Sequence, residues 1–327
     1  GVETIPGIAS SDAGTALQWM RREGISFPVF VKPTESAGSF GGGVCASAGE
    51  LTGIFSKLIG QRDPMGHVVD QLLVQPVIQA DGLREVVANG LFDRELGFIA
   101  TDFFEYKKQR GRQPIYIESR LKKWDLSDPV HVKILKASQA LGEAFKLGNA
   151  AFHGEFFVIG DRVLFIEFGL RAAGGGMPQF VRACGGMDQI RLHLLSLFDR
   201  KQFLKTIRAD EQRVGSLPLI APQVEVEGNM IDLRYEGPPG IVQRVPSDAL
   251  LSAMLPGFYS ASLHMKVGDW LESTSDLFNG PGVISVRGNQ GEIAKAERAL
   301  RLWEREGFYG VKEPGLCRRI LFRLFGK

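Results

Sequence analysis

The sequence predicts an α+β protein built from two lobes and a mostly-β C-terminal part. Three observations predict it. A chain of 327 residues is long enough for about two cores. Residues 1–60 alternate two helical stretches with short strands and a glycine-rich turn. The middle of the chain holds an apolar hairpin, HGEFFVIGDRVLFIEFGLRAAGGG (153–176), with a glutamate in each strand.

Taken in order, residues 10–24 read as a helix with Ser10 or Ser11 as N-cap and Gly24 as its stop. FPVFVKP (27–33) reads as a strand ending in Lys32, TESAGSFGGGV (34–44) as a glycine-rich loop, and 47–60 as a second helix. VVDQLLVQPVI (68–78) is an apolar strand, and 84–108 reads as strands broken by an Asn89-Gly90 turn signal. Residues 128–148 carry apolar side chains at helical spacing, with Gly148 as stop. After the hairpin come a helix over 188–200, short strands over 215–290, and a helix over 290–306. The expected division is 1–75 for a small lobe, 76–200 for a large lobe, and 201–327 for a C-terminal subdomain with a basic amphipathic tail.

Bulk composition narrows the function. The net charge of +2 is evenly mixed, so it leaves no footprint for nucleic acid. Cys45, Cys184 and Cys317 are far apart without a CxxC, which suits a reducing compartment and predicts a cytoplasmic protein. The histidines show no HxxxH or HxH pairing, so no zinc site is expected; His153, next to the glutamate strand, reads as a structural residue, with a ligand or base role as the alternative. No apolar run reaches the roughly 18 residues a membrane span needs. The tail LCRRILFRLFGK (316–327) reads as a helix docked on the body rather than a membrane anchor.

The hairpin carries the chemistry. A two-residue loop at Gly160-Asp161 pairs Glu155 with Ile166 and turns Glu167 away; a three-residue loop pairs Glu155 with Glu167. Two adjacent carboxylates in an apolar sheet repel and cost desolvation. A divalent cation removes both penalties, and magnesium suits hard oxygen ligands together with substrate phosphates. Lys32 followed by AGSFGGG offers a point charge and freed backbone amides to a polyphosphate, although the spacing fits neither a P-loop nor a Rossmann fingerprint. A phosphate clamp and a carboxylate pair in different lobes suggest a nucleotide held between them.

The segments FPVFVKPTESAGSFGGGV, LLVQPVIQADGLREVV and HGEFFVIGDRVLFIEFGLRAAGGG occur in the order seen in ATP-grasp carboxylate–amine ligases. With YIES (116–119) and ASLHMKVGDWLESTSDLFNGPGVISVRGNQGEIAKAERAL, the chain most resembles the L-amino-acid (dipeptide) ligases over about residues 1–190 and, more weakly, 255–305. The resemblance implies the ATP-grasp fold, ATP and Mg2+ (with Mn2+ as a substitute) as cofactors, and amide formation through an acyl phosphate. It implies Lys32 on the phosphates, Gly38, Ser39, Gly41 and Gly42 closing over them, and Gln75 and Glu85 toward adenine and ribose. Glu155 and Glu167 match the metal ligands, Arg171 the arginine on the transferred phosphate and substrate carboxylate, and Glu118 an acid near the substrate amino group.

Three departures stand out. Gly169 replaces the Asn of the common E-x-N-x-R pattern, RLKKW replaces the His and Pro expected after Glu118, and GVETIPG corresponds to a point inside the family pattern. An N-terminal lobe is therefore expected in cis or on a partner domain. Small carboxylate and amine substrates and a homodimer complete the expectations. A degenerate nucleotide-binding module, or a D-alanine–D-alanine-type or carboxylase-type ligase, stays open.

Overall fold

The computed structural model describes residues 2–35, 40–63, 66–109, 115–209, 217–275 and 279–312. The expected loop residues Gly38 and Ser39, together with Cys317 and the tail, lie outside the described residues.

Strands β1 (Ile8–Ser10), β2 (Val29–Pro33), β3 (Gly43–Cys45) and β4 (Leu72–Pro76) form an antiparallel sheet of order β1-β4-β2-β3. Helices α1 (Ala13–Arg22) and α2 (Ala48–Leu58) back it. Strand alternation decides its faces. Val29 and Val31 are fully buried against Ala16, Trp19, Leu51 and Phe55, and Phe30 and Lys32 turn the other way. The cap of α1 is Asp12 rather than Ser10 or Ser11: its carboxylate accepts from Thr15 N–H at 2.7 Å. The Ser10 hydroxyl instead donates to the Asp12 carbonyl at 2.9 Å. A carboxylate at this position also favours the helix dipole, which a serine does not.

The chain continues through β5 (Arg84–Asp93), β6 (Gly97–Gln109), β7 (Ile115–Lys122), α3 (Pro129–Ala144), β8 (Ala150–Ile159) and β9 (Arg162–Gly169). Helices α4 (Met177–Ala183), α5 (Gln189–Phe198) and α6 (Arg200–Ala209) follow, then β10 (Leu219–Ile220), β11 (Glu227–Asp232) and β12 (Gly240–Arg244). The last elements are α7 (Asp248–Met254), β13 (Phe258–Leu263), β14 (Trp270–Leu271), β15 (Gly282–Gly288), α8 (Gln290–Glu306) and β16 (Gly310–Lys312).

Nine strands build one large sheet, β13-β15-β11-β7-β6-β5-β8-β9, with β10 beside β6. The sheet runs across residue 200, where a C-terminal unit was expected to begin: β11, β13 and β15 extend it beyond β7. Only β12, β14 and β16 pair among themselves, in a sheet of three strands. Helix α3 covers one face of the large sheet, over Val86, Ala88, Phe98, Phe103, Phe156 and Val158. Each of the buried valines and phenylalanines among them contributes about 1.5–3 kcal/mol of transfer energy. On the other face α4 seats Met177 and Phe180 against Val87, Phe104 and Met230, while α8 covers Ile231, Ile284 and Val286 of β11 and β15 on the same face as α3.

Two sequence signals resolve differently from expectation. Asn89-Gly90 is no turn. Strand β5 passes through it with a register shift, and a Cβ at Gly90 would overlap the Ile99 carbonyl oxygen, so glycine serves a close backbone approach. Helix α3 ends at Ala144 rather than at Gly148, and Lys146 and Asn149 take the left-handed turn residues, with φ of 52° and 53°. No helix among the described residues is long and apolar enough to cross a membrane.

Candidate active site

The hairpin resolves its two alternatives by combining them. Ile159 pairs with Arg162 across a two-residue Gly160-Asp161 turn, yet Glu155 pairs with Glu167. A bulge makes this possible: Phe156 pairs with Phe165, so Ile166 is the extra residue, and the register slips by one before the glutamates. Both carboxylates therefore share a face, the one opposite α3. Val87 on β5 is the other cross-strand neighbour of Glu155.

The small sheet reaches this face. Thr4 bridges to Phe165 at the free edge of β9, and the Phe165 N–H donates to the Glu3 carbonyl at 2.9 Å. Lys32, on the side of β2 away from its helices, donates from Nζ to Glu167 Oε2. Gln75 pairs with Phe30 on the same side, and its amide donates to the Ile5 carbonyl at 3.3 Å. Gly41 holds a left-handed backbone, φ 65°, with a would-be Cβ 2.8 Å from Leu58 Cδ1. Any side chain there would be strained and crowded. At Gly42 a Cβ would be 3.5 Å from Lys32 Cβ, an ordinary contact.

Glu85 joins the cluster through a residue that sequence reasoning missed. Lys108 donates from Nζ to Glu85 Oε1 and stands 4.3 Å over the Tyr116 ring and 5.5 Å over Tyr106. Burial pushes the Glu85 carboxyl up to about 7, with Lys108 opposing and Glu155 adding to the rise. Burial works against Lys108's charge, yet the facing carboxylates Glu85 and Glu155 raise its pKa. One cation serves two acids, which is why Lys108 keeps its proton while Glu85 stays destabilised. For Glu155, burial opposes ionisation, but His153, Lys108 and Lys32 outweigh it and hold the carboxyl down to about 2. The only signal for Lys108 was its spacing, two residues past Tyr106 on a strand, which puts both on one face.

Glu118 does not join them. Lys108 pairs with Tyr116 and Lys107 with Glu118, so Ile117 is a bulge that turns Tyr116 to the site and Glu118 to the opposite face. There Glu118 is fully buried beneath α8, accepting from Lys107 at 2.8 Å, Arg120 at 2.7 Å and Asn229 at 2.9 Å. Arg171 is exposed and its guanidinium donates to the neighbouring Ala172 carbonyl at 3.0 Å, while its side chain runs past Gly169, with Nε 3.3 Å from where a Cβ there would lie.

The donor set fits a divalent cation bound with phosphates. Glu155 and Glu167 supply hard carboxylate oxygens, Glu85 adds negative charge beside them, and Lys32 and Lys108 flank them. Among the described residues no three His, Cys, Asp or Glu side chains are gathered tightly enough to hold a metal ion unaided. That suits a cation completed by ligand oxygens.

No family model matches the sequence. It is similar to the dapdiamide A synthase of Enterobacter agglomerans, 25% identical over 309 residues, covering 92% of this chain and 67% of that protein. In three dimensions it is similar to the L-amino acid ligase of Bacillus licheniformis, at a TM-score of 0.69 and 14% identity, over 96% of this chain and 69% of that one. A biotin carboxylase–β,γ-ATP complex from Campylobacter jejuni superposes with a TM-score of 0.60 at 15% identity, over 94% of this chain and 68% of that one. The chain has the ATP-grasp fold of carboxylate–amine ligases. It spans about two thirds of the length of these relatives. The small sheet brings Lys32 to the open face of the large sheet that carries Glu85, Glu155 and Glu167.

Proposed function

We propose that this chain binds ATP between its two sheets and activates a small carboxylate for attack by an amine. The γ-phosphoryl group passes to a carboxylate oxygen of the first substrate, and ADP leaves. The amine nitrogen then attacks the acyl carbon, the C–O bond to phosphate breaks, and the nitrogen's proton is lost to solvent, giving an amide and inorganic phosphate. A divalent cation held by Glu155 and Glu167 would neutralise phosphate charge. Lys32 gives up its bond to Glu167 and faces the phosphates. Lys108, held over Tyr116 and against Glu85, keeps a fixed positive charge where negative charge develops, and such a preoriented group needs no reorganisation during reaction. No protein nucleophile takes part.

The observation that carries this reading is the meeting of Lys32 from one sheet with the Glu155–Glu167 pair of the other. The similarity to an amino-acid ligase and to dapdiamide A synthase supports amino acids or related small acids as substrates. A preceding lobe, in cis or on a partner domain, a homodimer, Mn2+ as an alternative cation and a cytoplasmic location belong to the same proposal. ADP release is to be measured over a panel of amino-acid pairs with the wild-type chain and Glu167→Gln. Release with at least one pair, abolished in the variant, is expected. Near-normal release in Glu167→Gln would sink the cation assignment. Binding of ATP without release by the intact protein would favour a nucleotide-binding module, a reading to which Gly169 in place of Asn lends weight.

A further inference from the structure

Glu155 and Glu167 are opposite each other on β8 and β9, and one step along the same face His153 is opposite Gly169. Residues two apart on a strand, and residues directly paired across strands, share a face. These positions therefore mark a square of roughly 5 by 7 Å. Three corners carry metal-ligating side chains, and the fourth, Gly169, carries none.

The imidazole at the third corner is held in one orientation. His153 Nδ1 is 2.7 Å from Asn89 Oδ1. Asn89 cannot turn over, because its Nδ2 donates to Asp102 Oδ1 at 2.5 Å, while the Thr101 hydroxyl donates to Asp102 Oδ2 at 2.8 Å. An ionised carboxylate only accepts, so the Asn89 amide presents NH2 to Asp102 and oxygen to His153. That oxygen also only accepts, so the proton belongs on Nδ1. Nε2 then points to Glu155 Oε1, 3.3 Å away. A bare nitrogen lone pair against a carboxylate oxygen is unfavourable; either a second proton or a metal cation must lie between them. His153, Asn89 and Asp102 are all buried, so water is not what orients the ring. An imidazole whose far nitrogen is pinned by an acceptor, itself pinned by a carboxylate, is the arrangement that supports metal-bound histidines.

We infer that His153 Nε2 becomes a third protein ligand to the nucleotide-bound cation, beside Glu155 and Glu167, once Glu167 turns from Lys32 and draws together three side chains that are not gathered about one point in this structure. This rests on the reading of the two glutamates as cation ligands. Glu167 must leave Lys32 to close the set, and its half-exposed position on β9 leaves it room to do so. Carboxylate and phosphate oxygens suit Mg2+ and Mn2+ alike, whereas imidazole favours later transition metals, so a histidine ligand should raise the site's affinity for those ions relative to Mg2+.

The test is pulsed EPR on the chain, produced with 15N-labelled histidine and loaded with Mn2+ and ADP. The 15N label separates imidazole from adenine nitrogen. Wild type is expected to show a histidine 15N coupling. His153→Ala should lose it and bind Mn2+ about 10- to 100-fold more weakly. Adding Gly169→Asn to that variant places an amide oxygen at the vacant corner, where a Cβ meets only the movable Arg171 side chain at 3.3 Å. This double variant should recover Mn2+ affinity without recovering the coupling. Absence of histidine coupling in wild type, with Mn2+ binding still lost in Glu155→Gln, would overturn the inference and leave the carboxylate site standing. Undiminished Mn2+ binding in Glu155→Gln would overturn both. The wild-type spectrum decides the matter even if a variant fails to fold.

Discussion

Glu118→Gln separates a structural acid from a substrate-binding one. The Glu118 carboxylate accepts from Lys107, Arg120 and Asn229 at 2.7–2.9 Å with no solvent exposure. Burial opposes its charge, but the hydrogen-bonded circle of Glu297, Lys107, Asn229 and Arg120 outweighs it and holds the carboxyl at about 2, below the usual 4.5. A depression from 4.5 to about 2, at about 1.4 kcal/mol per pH unit, corresponds to about 3–4 kcal/mol of stability. Because the folded value is the lower one, that stability is fully present above pH 4.5 and is lost as pH falls toward 2. Glutamine keeps one acceptor but turns an NH2 toward cations, so the variant should lose most of this. Urea unfolding at pH 7 should show Glu118→Gln destabilised by about 2–3 kcal/mol, with the gap to wild type narrowing below pH 4.5. Michaelis constants for both substrates should stay within about twofold, since the side chain faces α8 and not the cleft; a twofold change is only about 0.4 kcal/mol of binding. A variant as stable as wild type, with a Michaelis constant for the amine raised by an order of magnitude, would refute the reasoning and return Glu118 to the substrate.

Lys108→Met removes the cation shared by Glu85 and Glu155 and should destabilise the fold by about 3–5 kcal/mol in urea unfolding, because two buried carboxylates then face each other; a loss below about 1 kcal/mol would mean that these acids are not kept ionised together. Gly142→Ala drives a methyl into the Phe92 ring beneath α3 and should cost about 1–3 kcal/mol or more in the same assay, without altering nucleotide affinity in the folded protein.

Much of this architecture was legible in the sequence. The strand that ends in Lys32 and the helix over 290–306 follow from apolar spacing, while the facing of Glu155 by Glu167 was one of two registers the sequence allowed. What was not legible is mostly a matter of bulges. Ile166 lets a two-residue turn coexist with the glutamate pair, and Ile117 reverses Glu118 relative to Tyr116, although the two are only two residues apart. A bulge is decided by what packs on each face, here α8 and the cleft, and strand alternation alone carries no mark of it. Asn89-Gly90 misled for a related reason: a dipeptide suited to a tight turn serves equally where Ile99 comes close, and Asn89 is used for its amide. Lys108 and the Asn89–Asp102 link to His153 unite residues from three strands that periodicity treats separately.

In the proposed enzyme Glu155 and Glu167 seat a divalent cation between the sheets. Calorimetric titration of ATP into the wild-type chain and into Glu155→Gln, each with and without Mg2+, tests it most directly. Wild type should bind ATP more tightly with Mg2+, and Glu155→Gln should lose that gain while retaining the Mg2+-independent binding that Lys32 supports. An equal Mg2+ dependence in both proteins would contradict the account.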